Sequence, residues 1–151
     1  MWQINNYELE ITYIMGDGGA APAPYSGGYD FGEPYSVTSP TVAGYTPDIA
    51  TVIGTMPAHD VDVTVTYTAN TDTAYKVEHY TQNLDLASFS LQDTDNLTGT
   101  TNTLATASLN SYTGFSAPGV APSEIIAGDG STVIRVEYTR NSYTIDRKSV
   151  V

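Results

Sequence analysis

The inventory for catalysis is thin: cysteine is absent, and His59 and His79 are the chain's two histidines. His59 stands beside Asp60, just ahead of the alternating run Val61-Asp62-Val63-Thr64-Val65-Thr66-Tyr67. A His–Asp pair is part of a proton relay, and a nucleophile at a workable spacing would have to complete it. Serine is plentiful, but neither a Gly-x-Ser-x-Gly elbow nor a credible triad spacing occurs. The pair therefore reads as turn chemistry, with Asp60 bonding local backbone amides before a strand begins. His79 alternates with Tyr75 and Val77 in Tyr75-Lys76-Val77-Glu78-His79-Tyr80, which marks it as a packed or rim side chain, not a ligand.

Hard oxygen donors crowd one short stretch, Asp93-Thr94-Asp95-Asn96. Asp93, Asp95 and Asn96 are the candidate metal ligands, and Ca²⁺ is the ion such a set suits. Asp17 and Asp129 also lie among glycines, but neither has the carboxylate run of an EF-hand, and turn formation accounts for both. Gly16-Asp17-Gly18-Gly19 lacks the lysine and following helix of a phosphate loop. Aromatic residues supply the candidate binding surface. Tyr25, Tyr29, Phe31 and Tyr35 cluster in a Pro- and Gly-rich stretch, where strand packing explains them less readily. Their faces suit sugar C–H surfaces or peptides; anchoring a loop or core is the competing duty.

The elements that position these residues are strands. Tyr7, Leu9, Ile11 and Tyr13 alternate with Glu8, Glu10 and Thr12; Ile134, Val136 and Tyr138 alternate with Arg135, Glu137 and Thr139. Such a period of two belongs to half-buried strands, and Val, Thr and Tyr suit a pleated surface. Pro34–Thr38 reads as a short strand stopped by Pro40, and Phe89–Thr94 pairs with Asn96–Thr100 as two extended segments. Gly16–Gly19 and Ala127–Ser131 are turns. A helix has weak support: Thr103–Leu109 is the best candidate, with strand equally favoured by its threonines, and Pro47–Ala50 starts one short turn.

Composition narrows the class. Hydrophobic residues make up 40% of the chain and aromatics 11%, with twelve tyrosines, enough apolar surface for a β core and too much for disorder. The formal charge of −12, from 17 acidic and 5 basic residues, repels nucleic acid and anionic membranes. No window is apolar enough to insert in a membrane, and Met1–Asn6 lacks the basic start and apolar run of an export signal, so an exported protein would carry that signal outside this sequence.

The chain also repeats itself. Gly44-Tyr45 leads to Tyr67 and Asn70 as Gly114-Phe115 leads to Tyr138 and Asn141; the glycines stand 70 apart, the tyrosines and asparagines 71. Tyr7, Tyr75 and Tyr143 fall at equal intervals of 68. The pattern predicts two tandem modules, 4–72 and 73–142, joined by the connector Thr71–Ala74, with 143–151 the start of a truncated third copy or a tail; Arg147–Val151 does not continue it. A mainly β to α+β fold with little helix is expected. Catalytic sites rarely come in strings, whereas spacers and multivalent binders do.

Several strings resemble repeats of Gram-positive surface proteins. Thr55-Met56-Pro57-Ala58-His59-Asp60 resembles the end of the Listeria–Bacteroides (internalin B-type) repeat. Tyr75–Tyr80, Leu97-Thr98-Gly99-Thr100 and Tyr112-Thr113-Gly114-Phe115 are similar to mucin-binding-protein (MucBP-type) modules. The chain departs from the first family where Pro47-Asp48-Ile49-Ala50 replaces an aromatic-rich stretch, and it contains no Leu-Pro-x-Thr-Gly sorting motif. The resemblance implies β-grasp-like (ubiquitin-like) modules in a wall-attached, extracellular bacterial adhesin. It implies a non-enzymatic stalk or weak multivalent binder of host mucin, glycan or surface protein, packed beside neighbouring repeats of its own chain. An accessory β module of a secreted glycan-active enzyme is the alternative. Surface proteins of this kind sometimes form a Lys–Asn amide cross-link beside a buried acid; Lys76, Glu78 and nearby asparagines supply the groups, but Lys76 lies on the polar side of its alternation and reads as solvated.

Overall fold

The computed structural model describes residues 5–145, and the chain divides into two compact units, Met1–Thr71 and Asp72–Val151. Unit 1 contains strands β1 (Asn6–Met15), β2 (Tyr25–Asp30), β3 (Pro34–Thr38), β4 (Tyr45–Pro47), β5 (Thr51–Thr55) and β6 (Val61–Ala69). Unit 2 contains β7 (Thr73–Gln82), β8 (Phe89–Gly99), β9 (Leu104–Thr106), β10 (Phe115–Ser116), β11 (Ser123–Ile125) and β12 (Val133–Arg140). All regular elements among the described residues are strands; the helix candidate Thr103–Leu109 instead holds β9, as its β-branched threonines favour.

Each unit builds a four-stranded mixed sheet and a separate antiparallel pair. The order is β2-β1-β6-β4 in unit 1 and β8-β7-β12-β10 in unit 2. In both sheets the first and last strands of the unit run parallel in the centre, β1 with β6 and β7 with β12, flanked by antiparallel neighbours. The remaining pairs are β3 with β5 and β9 with β11. Where a β-grasp module lays a helix over its sheet, the described residues of each unit supply this strand pair and the loops around it.

The cores follow from the alternation. Leu9, Ile11, Tyr13, Met15, Val65 and Tyr67 from the unit 1 sheet are buried with Val52 and Met56. Val77, Ile134, Val136 and Tyr138 from the unit 2 sheet are buried with Ala105, Ala107 and Ile126. Each large apolar side chain so buried contributes roughly 1.5–3 kcal/mol, which is how a unit of this size folds without disulfides.

Loop details repeat as well. Asn70 N–H donates to Gly44 O at 2.8 Å as Asn141 N–H donates to Gly114 O at 2.9 Å. Thr46 Oγ1 and Ser116 Oγ then donate to the Oδ1 atoms of the same two asparagines. Gly44 and Gly114 hold φ of 79° and 85°, a left-handed turn that a residue without Cβ adopts at little cost.

Four expectations need correction. In the pairing register, Met15 lies opposite Tyr67 and Thr81 opposite Tyr138, so Tyr13 corresponds to His79 and the first strands are offset by 66, not the 68 that the Tyr7–Tyr75 spacing gave. Phe89–Thr94 and Asn96–Thr100 do not pair with each other: residues 89–99 form one edge strand along β7, with an irregularity between His79 and Tyr80. Thr73 and Ala74 belong to β7, leaving residues 70–72 between the strands of the two units. Tyr143–Ile145 carry no strand, and the remainder of the expected third copy, 146–151, lies outside the described residues.

Candidate functional site

The aromatic cluster is built on β2 and β3. Tyr25 and Tyr29 sit two pleats apart on β2, opposite Ile11 and Tyr7, so both rings face the core side of the sheet. Their hydroxyls bond each other at 2.8 Å, and Tyr29 lies 5.7 Å from Tyr35 at 57°. The hydrogen bond with Tyr25 is the main cause that pushes the Tyr29 phenol up. Two glycines make room for these rings: a Cβ on Gly27 would meet the Tyr25 hydroxyl at 2.5 Å, and one on Gly54 would collide with the Tyr35 ring. Tyr25, Tyr29 and Tyr35 are half-buried against the unit 1 core, while Phe31, 61% exposed in the turn after β2, stands apart from them. The structure thus joins three of the four candidates and gives them core contacts; Phe31 alone offers a free aromatic face.

The oxygen-donor stretch lies along β8. Alternation sends Asp93 and Asp95 to one side of the sheet and Asn96 to the other. Asp93 accepts the Thr94 N–H at 2.9 Å, and Asp95 accepts from His79 Nε2 at 3.2 Å. Among the described residues no three His, Asp or Glu side chains gather as a metal site. Asp129 and Asp85 are turn acids: each accepts a serine hydroxyl and backbone N–H groups, from Ser131 and from Ser88, which hold both carboxyls below the usual range. Asp17 accepts the Tyr45 hydroxyl at 2.7 Å, the chief reason that this phenol is pushed up. His59 Nδ1 contacts Asp60 O at 2.7 Å, while Asp60 Oδ1 takes the Glu8 N–H at 2.9 Å and pins the start of β1.

One buried polar chain lay partly hidden in the sequence. His79 is 0% exposed. Its Nε2 faces the Asp95 carboxylate, so that nitrogen carries the proton and Nδ1 accepts from the Tyr138 hydroxyl at 2.9 Å. The Tyr138 oxygen in turn accepts the Asn110 N–H at 2.8 Å, and the Tyr112 ring stands edge-on to Tyr138 at 4.8 Å. Burial is the largest cause that raises the Tyr138 phenol. Every donor in this chain has an acceptor, an arrangement that fixes a loop. The recurrence of Tyr67 and Tyr138 was the available signal; the loop amide and Asp95 are distant in sequence and carried none.

On the solvent side of the unit 2 sheet, Arg135 stacks over the Tyr80 ring at 3.7 Å and bonds Glu137 at 2.7 Å, and Tyr80 donates to Glu78 at 2.6 Å. Lys76 is exposed on this face, its backbone opposite Asn96. No helix among the described residues is long and apolar enough to cross a membrane.

Residues 30–71 match the model of the Muc B2-like domain family, in line with the mucin-binding-type resemblance read from the sequence. Two solved structures are similar over most of the chain. The Bacillus anthracis TIE protein aligns with 92% of this chain at 10% identity and a TM-score of 0.48. Streptococcal High Identity Repeats in Tandem (SHIRT) domains 3-4 from a cell surface protein align with 89% of it at 15% identity and a TM-score of 0.29. The chain spans 35% of the TIE chain and 98% of the SHIRT chain. No curated protein matches it.

Proposed function

We infer that this chain is a non-enzymatic section of a repeat array on a Gram-positive cell surface, a spacer that also offers weak, repeated contacts to host mucin, glycan or surface protein. The observation that carries this reading is the duplication itself: the same sheet order, the same central parallel pair and the same loop tethers occur in both units. The Muc B2-like match over 30–71 supports the surface-repeat class. Repetition makes weak affinity useful, since a tethered second site experiences an effective concentration on the order of millimolar. Among the four aromatic candidates of unit 1, Phe31 is the one exposed for such contact.

Binding of the intact chain to immobilised mucin, with and without enzymatic removal of its glycans, tests the adhesive part. Saturable binding that disappears with the glycans and weakens in Phe31→Ala supports glycan contact. Binding that survives deglycosylation points to protein contact, and no binding at all leaves the spacer role alone. The complete reading frame tests the array: flanking repeats and a wall-sorting signal are expected, and an adjoining catalytic domain would overturn it.

A further inference from the structure

We propose that each unit is a shear-loaded mechanical clamp, so that the chain bears tension along its length without covalent cross-links. This rests on the surface-array reading for its biological use, but its physics comes from strand direction alone. Tension enters unit 1 at the start of β1 and leaves at the end of β6. These strands are parallel and adjacent at the centre of the sheet, so the two points lie at opposite ends of the paired stretch. Pulling must then slide one strand past the other, and the paired positions Leu9–Met15 with Val61–Tyr67 resist together. An antiparallel terminal pair loaded from one end would instead open one hydrogen bond at a time.

Further contacts lock the same sliding coordinate. Gly16 N–H donates to Tyr67 O at 2.9 Å and extends the unit 1 ladder by one bond. Asn70 N–H, just beyond β6, is held by Gly44 O, and Asp60, just before β6, holds the Glu8 N–H. The inner side chains of the two strands, Leu9, Ile11, Val65 and Tyr67, are fully buried, so sliding would also drag apolar surface through a packed layer. Unit 2 repeats the device with Lys76–Thr81 against Val133–Tyr138, extended by Lys76 N–H to Thr132 O at 3.0 Å. With only residues 70–72 between β6 and β7, load leaving one clamp enters the next almost at once.

Single-molecule pulling on the full chain tests this, and the absence of native cysteine makes engineered thiol handles unique. Asn5→Cys with Thr71→Cys loads β1 and β6 in shear; Asn5→Cys with His59→Cys loads the same strands from one end. All three positions are exposed. The expected result is a several-fold higher unfolding force for the first pair at equal pulling speed. Pulled by its termini, the chain should give two such events, each releasing roughly 20 nm at the ~3.5 Å per residue of extended backbone. A second contrast in unit 2, Asp72→Cys with Asn141→Cys against Asp72→Cys with Ser131→Cys, guards against a local effect of one handle. Equal forces in the two geometries of both units would overturn the clamp and leave the surface-array reading untouched. A preserved force contrast in a protein whose reading frame adjoins a catalytic domain would do the reverse.

Discussion

The two units solve one problem with different chemistry. Each uses the tyrosine near the end of its last strand to tie down the loop ahead of the Gly44 or Gly114 turn. In unit 1 that loop presents a carbonyl, and the Tyr67 hydroxyl donates to Pro40 O at 2.6 Å. In unit 2 the loop presents an N–H, so the Tyr138 oxygen must accept from Asn110 and its proton needs another acceptor. His79 provides that acceptor where unit 1 has Tyr13, and Asp95 accepts from His79 where unit 1 has Tyr25. Reversing one loop hydrogen bond thus changes the requirements at two core positions, because a buried donor without an acceptor costs about 1–3 kcal/mol. The charge differs too: Met1–Thr71 holds no lysine or arginine, and all five basic residues fall in unit 2.

The largest expected effect should be shared by the units. Met56 and Ile126 occupy equivalent buried places, each joined through its N–H and C=O to the preceding turn. Met56→Ala and Ile126→Ala should each cost about 2–5 kcal/mol, read by denaturant titration with NMR signals of both units followed separately. A silent substitution in either unit would break the equivalence. Tyrosine-to-phenylalanine changes sharpen the contrast. Tyr67→Phe removes one donor from a carbonyl and should cost about 1 kcal/mol, whereas Tyr138→Phe strands both the Asn110 N–H and His79 Nδ1 and should cost about 2–4 kcal/mol. Equal costs would contradict the reversed polarity.

Alkali should act on both units in the same direction. Burial is the first cause that raises Tyr67 and Tyr138 above the ordinary phenol value. A folded value above the unfolded one contributes stability that is complete below about pH 10 and is lost as pH rises through the folded value. Denaturation midpoints measured across that window should fall, and should fall less in Tyr67→Phe. The smallest effect belongs to the exposed caps: Asn70→Ala and Asn141→Ala each lose one side-chain acceptor and should cost about 0.5 kcal/mol, equally in the two units.

Much of the fold was legible because period-two alternation in Tyr7–Tyr13, Val61–Tyr67, Tyr75–His79 and Ile134–Tyr138 reports which side chains face inward. The same periodicity is blind to a slip of two residues, which keeps every side chain on its face; hence the spacing of Tyr7 and Tyr75 misplaced the first-strand register. Asp95 stood between the two segments expected to pair, since acids disfavour strands, but β8 is a continuous edge strand, where charged side chains are tolerated and deter unwanted pairing. Strand packing explained Tyr25, Tyr29 and Tyr35 less readily amid Gly and Pro, yet Gly27 and Gly54 give the Tyr25 and Tyr35 rings room to lie across the strands. The polar chain through His79 depended on a backbone N–H in a loop, which no side-chain pattern announces.

Inter-strand NOEs in the isotopically labelled chain test the duplicated architecture most directly. The account predicts parallel contacts between β1 and β6 with Tyr13 opposite Val65, and between β7 and β12 with His79 opposite Val136. Pairing of the first strand of one unit with the last strand of the other, or a register that sets Ile11 and His79 in equivalent places, would contradict it.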